Sequence, residues 1–288
     1  MRYIRMNEAR TVEDLQIHCV EEGAGPLVLL MHGFPEFSYS WRKVQPRLAA
    51  AGFRTLAIDL PGYNESSKPV GIDRYRIPLL VEDIASFING TSAKGPIFVV
   101  GHDWGGFFAW YLEMAHPELV EKLVILNVPH PVPYSRALRQ SMKQKVRSAY
   151  QVFFRLPLIP ELVLRAGLPT LMKRMSRLTP DELREYRRAW RKPGALTAMV
   201  NYYRALGRSR AELRRIVKKI ECPVLMIWGV GEPVFTPATT EDFGEWVPDL
   251  QFERVAHAGH FVQNDAPDRV AGLIVQFLRN DGRVRDSG

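Results

Sequence analysis

The chain has 288 residues, 46% hydrophobic and 24% charged, with a formal net charge of +8 at neutral pH. That balance suits a globular core with an insertion and excludes a disordered or fibrous chain. No stretch approaches the roughly 18–20 apolar residues that cross a bilayer, and residues 1–8 offer no apolar run for a signal peptide.

Residues 15–20 alternate apolar and polar as a strand and run into the turn-like Glu22-Gly23-Ala24-Gly25. Residues 27–31 form a continuous apolar run, as a buried central strand does. An amphipathic segment over 38–51, with Trp41, Val44, Leu48 and Ala49 on one side, is closed by Gly52. Strand 54–58, a helix around 79–88, buried strand 96–100, a helix over about 105–115 and strand 122–126 follow. Strands alternating with helices predict a mostly parallel α/β sheet.

From residue 133 the strand character disappears. Helical periodicity runs to about 219, broken by Pro157, Pro160, Pro169, Pro180 and Pro193. Thr179-Pro180-Asp181-Glu182 reads as a helix start, with a capping hydroxyl, proline in the first position and acids at the positive end of the dipole. This stretch holds 22 Lys and Arg against 5 Asp and Glu, a net +17, which leaves about −9 elsewhere. The arginines are not interleaved with base-stacking aromatics, so a solvated helix face is favoured over nucleic-acid binding. A preference for anionic substrates or surfaces is the second reading. Strands return at 223–228 and 250–255, a helix covers 267–279, and the tail from Asn280 is expected to fray. The predicted division is a core of 1–132 and 220–288 with a helical cap over 133–219. Cys19 and Cys222 form no motif, which fits buried free thiols and a cytoplasmic protein.

Gly101-His102-Asp103-Trp104-Gly105-Gly106 directly follows a buried strand and has the G-x-Nu-x-G spacing of a nucleophile elbow. Glycines at 101 and 105 allow so sharp a turn, which lifts Asp103 clear of the sheet toward a helix start. His32-Gly33-Phe34-Pro35 follows the strand ending at Met31, where such folds place one oxyanion-hole N–H; Phe34 and Trp104 are the expected backbone donors. His32 is expected to brace its loop. Of seven histidines, His260 in Gly259-His260-Phe261 follows the last strand and is the candidate base, with His257 as competitor and the small Gly259 favouring 260 by close packing. Glu232 is the one acid in the loop 229–233 and is the candidate orienting carboxylate. No spacing suggests a metal site.

With these motifs the sequence resembles the epoxide hydrolases of the α/β-hydrolase fold over almost its whole length. Tyr150-Gln151-Val152-Phe153-Phe154-Arg155-Leu156-Pro157 and Asn201-Tyr202-Tyr203-Arg204 look like that family's two lid tyrosine motifs. The resemblance implies an eight-stranded-type sheet with a helical cap, an ester intermediate on Asp103, and epoxide-activating hydroxyls on Tyr150 and Tyr203. It implies no cofactor. The partners it implies are an epoxide and water, with a homodimer left open. Tyr134, Tyr186 and Tyr202 read as cap core, and Pro35, Phe153, Phe154, Met199 and Phe261 as pocket lining. Two positions depart from the family pattern: Glu232 stands where Asp is more usual, and Asn64 where glycine is, although Asn tolerates positive φ.

A haloalkane or haloacid dehalogenase would share Asp103, His260 and Trp104 but has no use for two phenols. A catalytically inactive fold used for binding is the third reading.

Overall fold

The computed structural model describes residues 2–5 and 15–280; the expected tail after Asn280 and most of the leader region lie outside them. An eight-stranded sheet runs in the order β1-β2-β4-β3-β5-β6-β7-β8. Its strands are β1 (Arg2–Arg5), β2 (Gln16–Glu22), β3 (Leu27–Met31), β4 (Arg54–Ile58), β5 (Ile97–His102), β6 (Val120–Leu126), β7 (Val224–Gly229) and β8 (Leu250–Val255). β1–β2 and β2–β4 pair antiparallel, and every pairing from β4 through β8 is parallel. Seven strands agree with the sequence reading to within two residues at each end. β1 escaped it because four residues reading Arg-Tyr-Ile-Arg carry no apolar run.

Side chains alternate across a strand, so each central strand feeds two cores. Leu29, Val99, Ile125 and Met226 face one cluster, joined by Phe87 and Phe108 from the helices Ile77–Asn89 and Trp104–Ala115. Leu30, Val100, Val124 and Ile227 face the other, with Leu48 and Ile274 from the helices Gln45–Ala50 and Pro267–Arg279. The segment read as one amphipathic helix over 38–51 is split into a 3-10 turn, Ser38–Trp41, and the helix Gln45–Ala50. Pro46 sits in the first turn of that helix, where its missing N–H costs nothing.

Between β6 and β7 lie the helices Pro131–Gln140, Met142–Arg147, Tyr150–Phe153, Ile159–Met175, Pro180–Trp190 and Ala195–Ile216. Thr179 and Glu182 form the reciprocal capping box that Thr-Pro-Asp-Glu suggests. Pro169 does not break its helix. It lies inside Ile159–Met175, where Leu164, Leu168 and Met172 bury one stripe on both sides of it and outweigh one lost hydrogen bond.

Candidate active site

Phe34, Asp103, Glu232 and His260 follow the carboxyl ends of parallel strands, where open α/β sheets gather ligands, while Tyr150 and Tyr203 come from the helices Tyr150–Phe153 and Ala195–Ile216. Asp103 follows β5 with φ 47° and ψ −116°, a left-handed backbone held between strand and helix. Such a conformation costs on the order of 1–3 kcal/mol and persists because the surroundings impose it. They do so sterically. A Cβ on Gly101 would lie 2.5 Å from the Gly105 carbonyl oxygen, and one on Gly33 would lie 2.3 Å from Asp103 Cβ. Only glycines let the His32 loop and the elbow approach this closely.

That approach brings Phe34 N–H within 2.8 Å of Asp103 Oδ1, which accepts its hydrogen bond. Trp104 opens the helix Trp104–Ala115, so its N–H has no partner within the helix. His32 is buried and braces the loop: Leu60 N–H donates to its Nε2 at 3.0 Å, so the proton sits on Nδ1, facing the Gly33 carbonyl at 2.9 Å. Burial lowers its pKa and keeps it neutral. Asn64 adopts φ 35°, as its glycine-like position suggests, and its amide donates to Asp59 at 2.9 Å.

His260 Nε2 lies 3.6 Å from Asp103 Oδ2, and its Nδ1 donates to Glu232 Oε2 at 2.7 Å. The competitor His257 is exposed and is held by its backbone carbonyl to Arg177. The packing argument for Gly259 fails, because an added Cβ there meets nothing nearer than 3.6 Å. The steric demand falls on Gly229 instead, where a Cβ would meet the Gly259 carbonyl oxygen at 2.1 Å. Glu232 Oε1 accepts the N–H groups of Val234 at 2.5 Å and Phe235 at 3.3 Å.

Burial opposes the charging of all three groups, yet their mutual attraction prevails. Asp103 is held below the usual carboxylate range by His260 and by the Phe34 N–H. Glu232 is also lowered, by His260, the Val234 N–H and Asn127. His260, between two carboxylates, rises to about 10.

Asp103, Tyr150 and Tyr203 line one cavity of about 50 Å³. The two phenol rings meet edge to face with centroids 5.8 Å apart, and Tyr203 packs on Trp104 at 5.1 Å. Burial, reinforced by Asp103 and by a neighbouring phenol (Tyr134 for Tyr150, Tyr150 for Tyr203), raises both phenol pKa values, so both stay protonated.

The alpha/beta hydrolase fold family matches residues 26–267. The chain is 32% identical to epoxide hydrolase 2 of Caenorhabditis elegans over 94% of this chain and 79% of that one. It is 31% identical to human epoxide hydrolase 4, over 99% and 80%. The chain belongs to the α/β-hydrolase family, among its epoxide hydrolases. It is also 38% identical to AB hydrolase superfamily protein YfhM of Bacillus subtilis, over 89% of this chain and 91% of that one. The crystal structure of an epoxide hydrolase from Bacillus megaterium with an inhibitor superposes with a TM-score of 0.86 at 33% identity, covering 96% of this chain and 99% of that one.

As an epoxide hydrolase, the chain departs from its sequence reading chiefly in the pocket wall. None of Pro35, Phe153, Phe154, Met199 and Phe261 lines the cavity. They stand one layer back. Phe154 packs on Phe34 and Tyr203, with half-buried Phe153 behind it. Phe261 packs on His260, the Pro35 carbonyl accepts Trp190 Nε1–H at 2.7 Å, and Met199 is buried in the core. Phe107, Tyr134, Gln151, Leu206 and Phe235 line it instead. Tyr134, read as cap core, reaches the cavity and accepts from Gln151 Nε2 at 2.8 Å. Tyr186 and Tyr202 are core residues as read, donating to Glu36 and to the Pro61 carbonyl. Two buried residues carried no sequence signal: Asn127, which donates to Glu232, and Glu36, whose carboxylate gathers Ser40, Tyr186, Gln263 and Asn264.

Proposed function

We propose that this chain opens epoxides to vicinal diols through an ester on Asp103. The observation that carries this reading is the sharing of one cavity by the Asp103 carboxylate and the Tyr150 and Tyr203 phenols. In the first step an Asp103 oxygen forms a bond to a ring carbon as the ring C–O bond breaks. The departing oxygen takes a phenol proton, since an alkoxide is more basic than either tyrosinate. In the second step water attacks the ester carbonyl, giving its proton to His260 Nε2, while the Phe34 and Trp104 N–H groups stabilise the oxyanion. Collapse releases the diol oxygen with the proton returned from His260, and the Asp103 carboxyl then gives its proton to His260, restoring the starting charges.

The raised pKa of His260 fits this sequence of events. Flanked by Asp103 and Glu232 it is protonated at neutral pH. Esterification removes the charge of Asp103, the pKa of His260 falls, and its proton passes to the tyrosinate left by ring opening, so the imidazole becomes a base only when water must be activated.

Residues 133–219 serve as the cap that brings both phenols over the nucleophile. The two cysteines, Cys19 and Cys222, form no motif, which fits a cytoplasmic location. A dehalogenase would leave the phenols without a role, and an inactive binding fold would have no need of an ordered Asp103-His260-Glu232 chain. A parallel assay of styrene oxide, a fatty-acid epoxide and a halogenated alkane separates these readings. Diol without halide is the expected result, and halide release without diol sinks it. Asp103→Asn should lose at least about 10⁴-fold in turnover with its circular dichroism unchanged.

A further inference from the structure

Beside the catalytic cavity lies a larger one of about 410 Å³. Phe107, Tyr134, Gln151 and Leu206 wall both. The wall of the larger cavity is mostly apolar, includes Arg139, Arg210 and Arg214, and contains no Asp or Glu. All three arginines are exposed, and none makes an ion pair or side-chain hydrogen bond with any described residue. Some other cap arginines find carboxylates, as Arg136 does with Asp242, Arg204 with Glu161 and Arg208 with Asp73, and others do not; what sets these three apart is that they share one cavity wall.

Helix geometry orders this cavity relative to the chemistry. Tyr203, Leu206, Arg210, Leu213 and Arg214 recur at three- and four-residue spacing on the helix Ala195–Ile216 and so share one stripe. At 1.5 Å per residue, Arg210 and Arg214 stand about 10 and 16 Å along the axis from the phenol-bearing position. Arg139 approaches from the end of the helix Pro131–Gln140. Arg139 and Arg214 lie in last turns, where a cation complements the helix dipole. That does not account for Arg210, which adds like-charge repulsion at i,i+4 with Arg214. An anion between them would relieve it.

We propose that Arg139, Arg210 and Arg214 clamp a carboxylate at the outer end of this second cavity, so that the preferred substrate is an elongated lipophilic epoxide with an acid at its far end. This rests on the epoxide-opening reading and adds the substrate class. The epoxide sits at Asp103, the hydrocarbon passes between Phe107 and Leu206, and the carboxylate emerges among the guanidinium groups, which suit carboxylates through their paired N–H donors.

The test compares a series of terminal epoxy acids of increasing length with their methyl esters. Up to a threshold length acid and ester should be used alike. Beyond it the acid should gain about tenfold in kcat/KM, as several exposed charge pairs acting together would give. That advantage should shrink as salt is raised. In the Arg139→Gln, Arg210→Gln, Arg214→Gln triple variant the acid-to-ester ratio should fall to about one. Its melting temperature should be no lower than that of the parent, because repulsion has been removed. Equal use of acid and ester at every length by the parent, or an unchanged ratio in the folded variant, overturns the clamp. If neither acids, esters nor styrene oxide yields diol, it is the epoxide reading itself that fails.

Discussion

Asn127 donates a 2.6 Å hydrogen bond to the same Glu232 oxygen on which His260 Nδ1 rests. Its side-chain carbonyl oxygen accepts the Gly229 N–H at 3.0 Å, so one amide ties the end of β6 to the loop that carries Glu232, the proposed orienting acid. A glutamate is one methylene longer than the more usual aspartate, and Asn127 together with the Val234 and Phe235 N–H groups fixes where that extra length goes. Asn127 has φ 48°, so Asn127→Gly removes the side chain without backbone strain. It is a positioning residue, and its loss should slow ester hydrolysis about tenfold while alkylation of Asp103 changes little. Rapid-quench measurement of both steps checks this; equal slowing of the two would mean a general loosening of the site.

His260 is assigned to the second step alone, because a carboxylate needs no base to become a nucleophile. His260→Gln should therefore alkylate and stall. Intact-protein mass spectrometry should find the mass of one substrate added to the chain, and digestion should locate it on Asp103. A variant that fails to turn over and carries no added mass would show that His260 is needed to form the ester.

The two phenols carry the distinction between epoxide and halide chemistry. The Tyr150→Phe, Tyr203→Phe double variant keeps both rings and their packing but removes both donors. General-acid assistance is typically worth about 10²–10⁴-fold, and a loss of that size should appear in the alkylation rate while either single variant loses less. An unchanged rate would mean that the leaving atom needs no proton.

What could be read from the sequence was whatever is encoded locally. The buried run 27–31 coincides with β3, because a parallel strand covered on both faces is apolar throughout. The elbow was legible because Gly101 crowds Gly105 four residues on, although Gly105 itself crowds the Met31 carbonyl at the end of β3. His260 was preferred over His257 for a partly mistaken reason. The crowding attributed to Gly259 belongs to Gly229, a contact between two loops that no spacing reveals. Asn127, Glu36 and the cavity wall were missed for the same cause. A lone asparagine after a strand acquires meaning only when β7 lies beside β6, and Tyr134 or Leu206 looks like any amphipathic core residue until the helices are assembled.

The charge at His260 also sets a stability window. Its folded pKa of about 10 lies above the roughly 6.5 of an unfolded histidine. Its protonation therefore contributes stability that is fully present below about pH 6.5 and is lost as pH rises through 10. Thermal melts should show the parent losing more stability than His260→Gln between pH 7 and 10. Parallel curves for the two proteins would remove the charged imidazole from the account.

The same pKa predicts different pH dependence for the two chemical steps. Before attack, Asp103 is anionic well below neutrality, since its own pKa is lowered, so single-turnover alkylation should be flat from about pH 5 to about pH 10. Once the ester has formed, only Glu232 still attracts the His260 proton, and the imidazole pKa must drop from about 10 toward its ordinary value. Hydrolysis of the ester should then rise with pH through a single ionisation whose midpoint lies clearly below 10. Because Glu232 Oε2 remains hydrogen-bonded to Nδ1, Glu232→Gln should lower that midpoint further and slow the step even at high pH, where the imidazole is neutral but no longer oriented. Stopped-flow fluorescence of the parent and of Glu232→Gln, with substrate below enzyme, resolves both steps. A shared midpoint for alkylation and hydrolysis would contradict a base that is released by esterification.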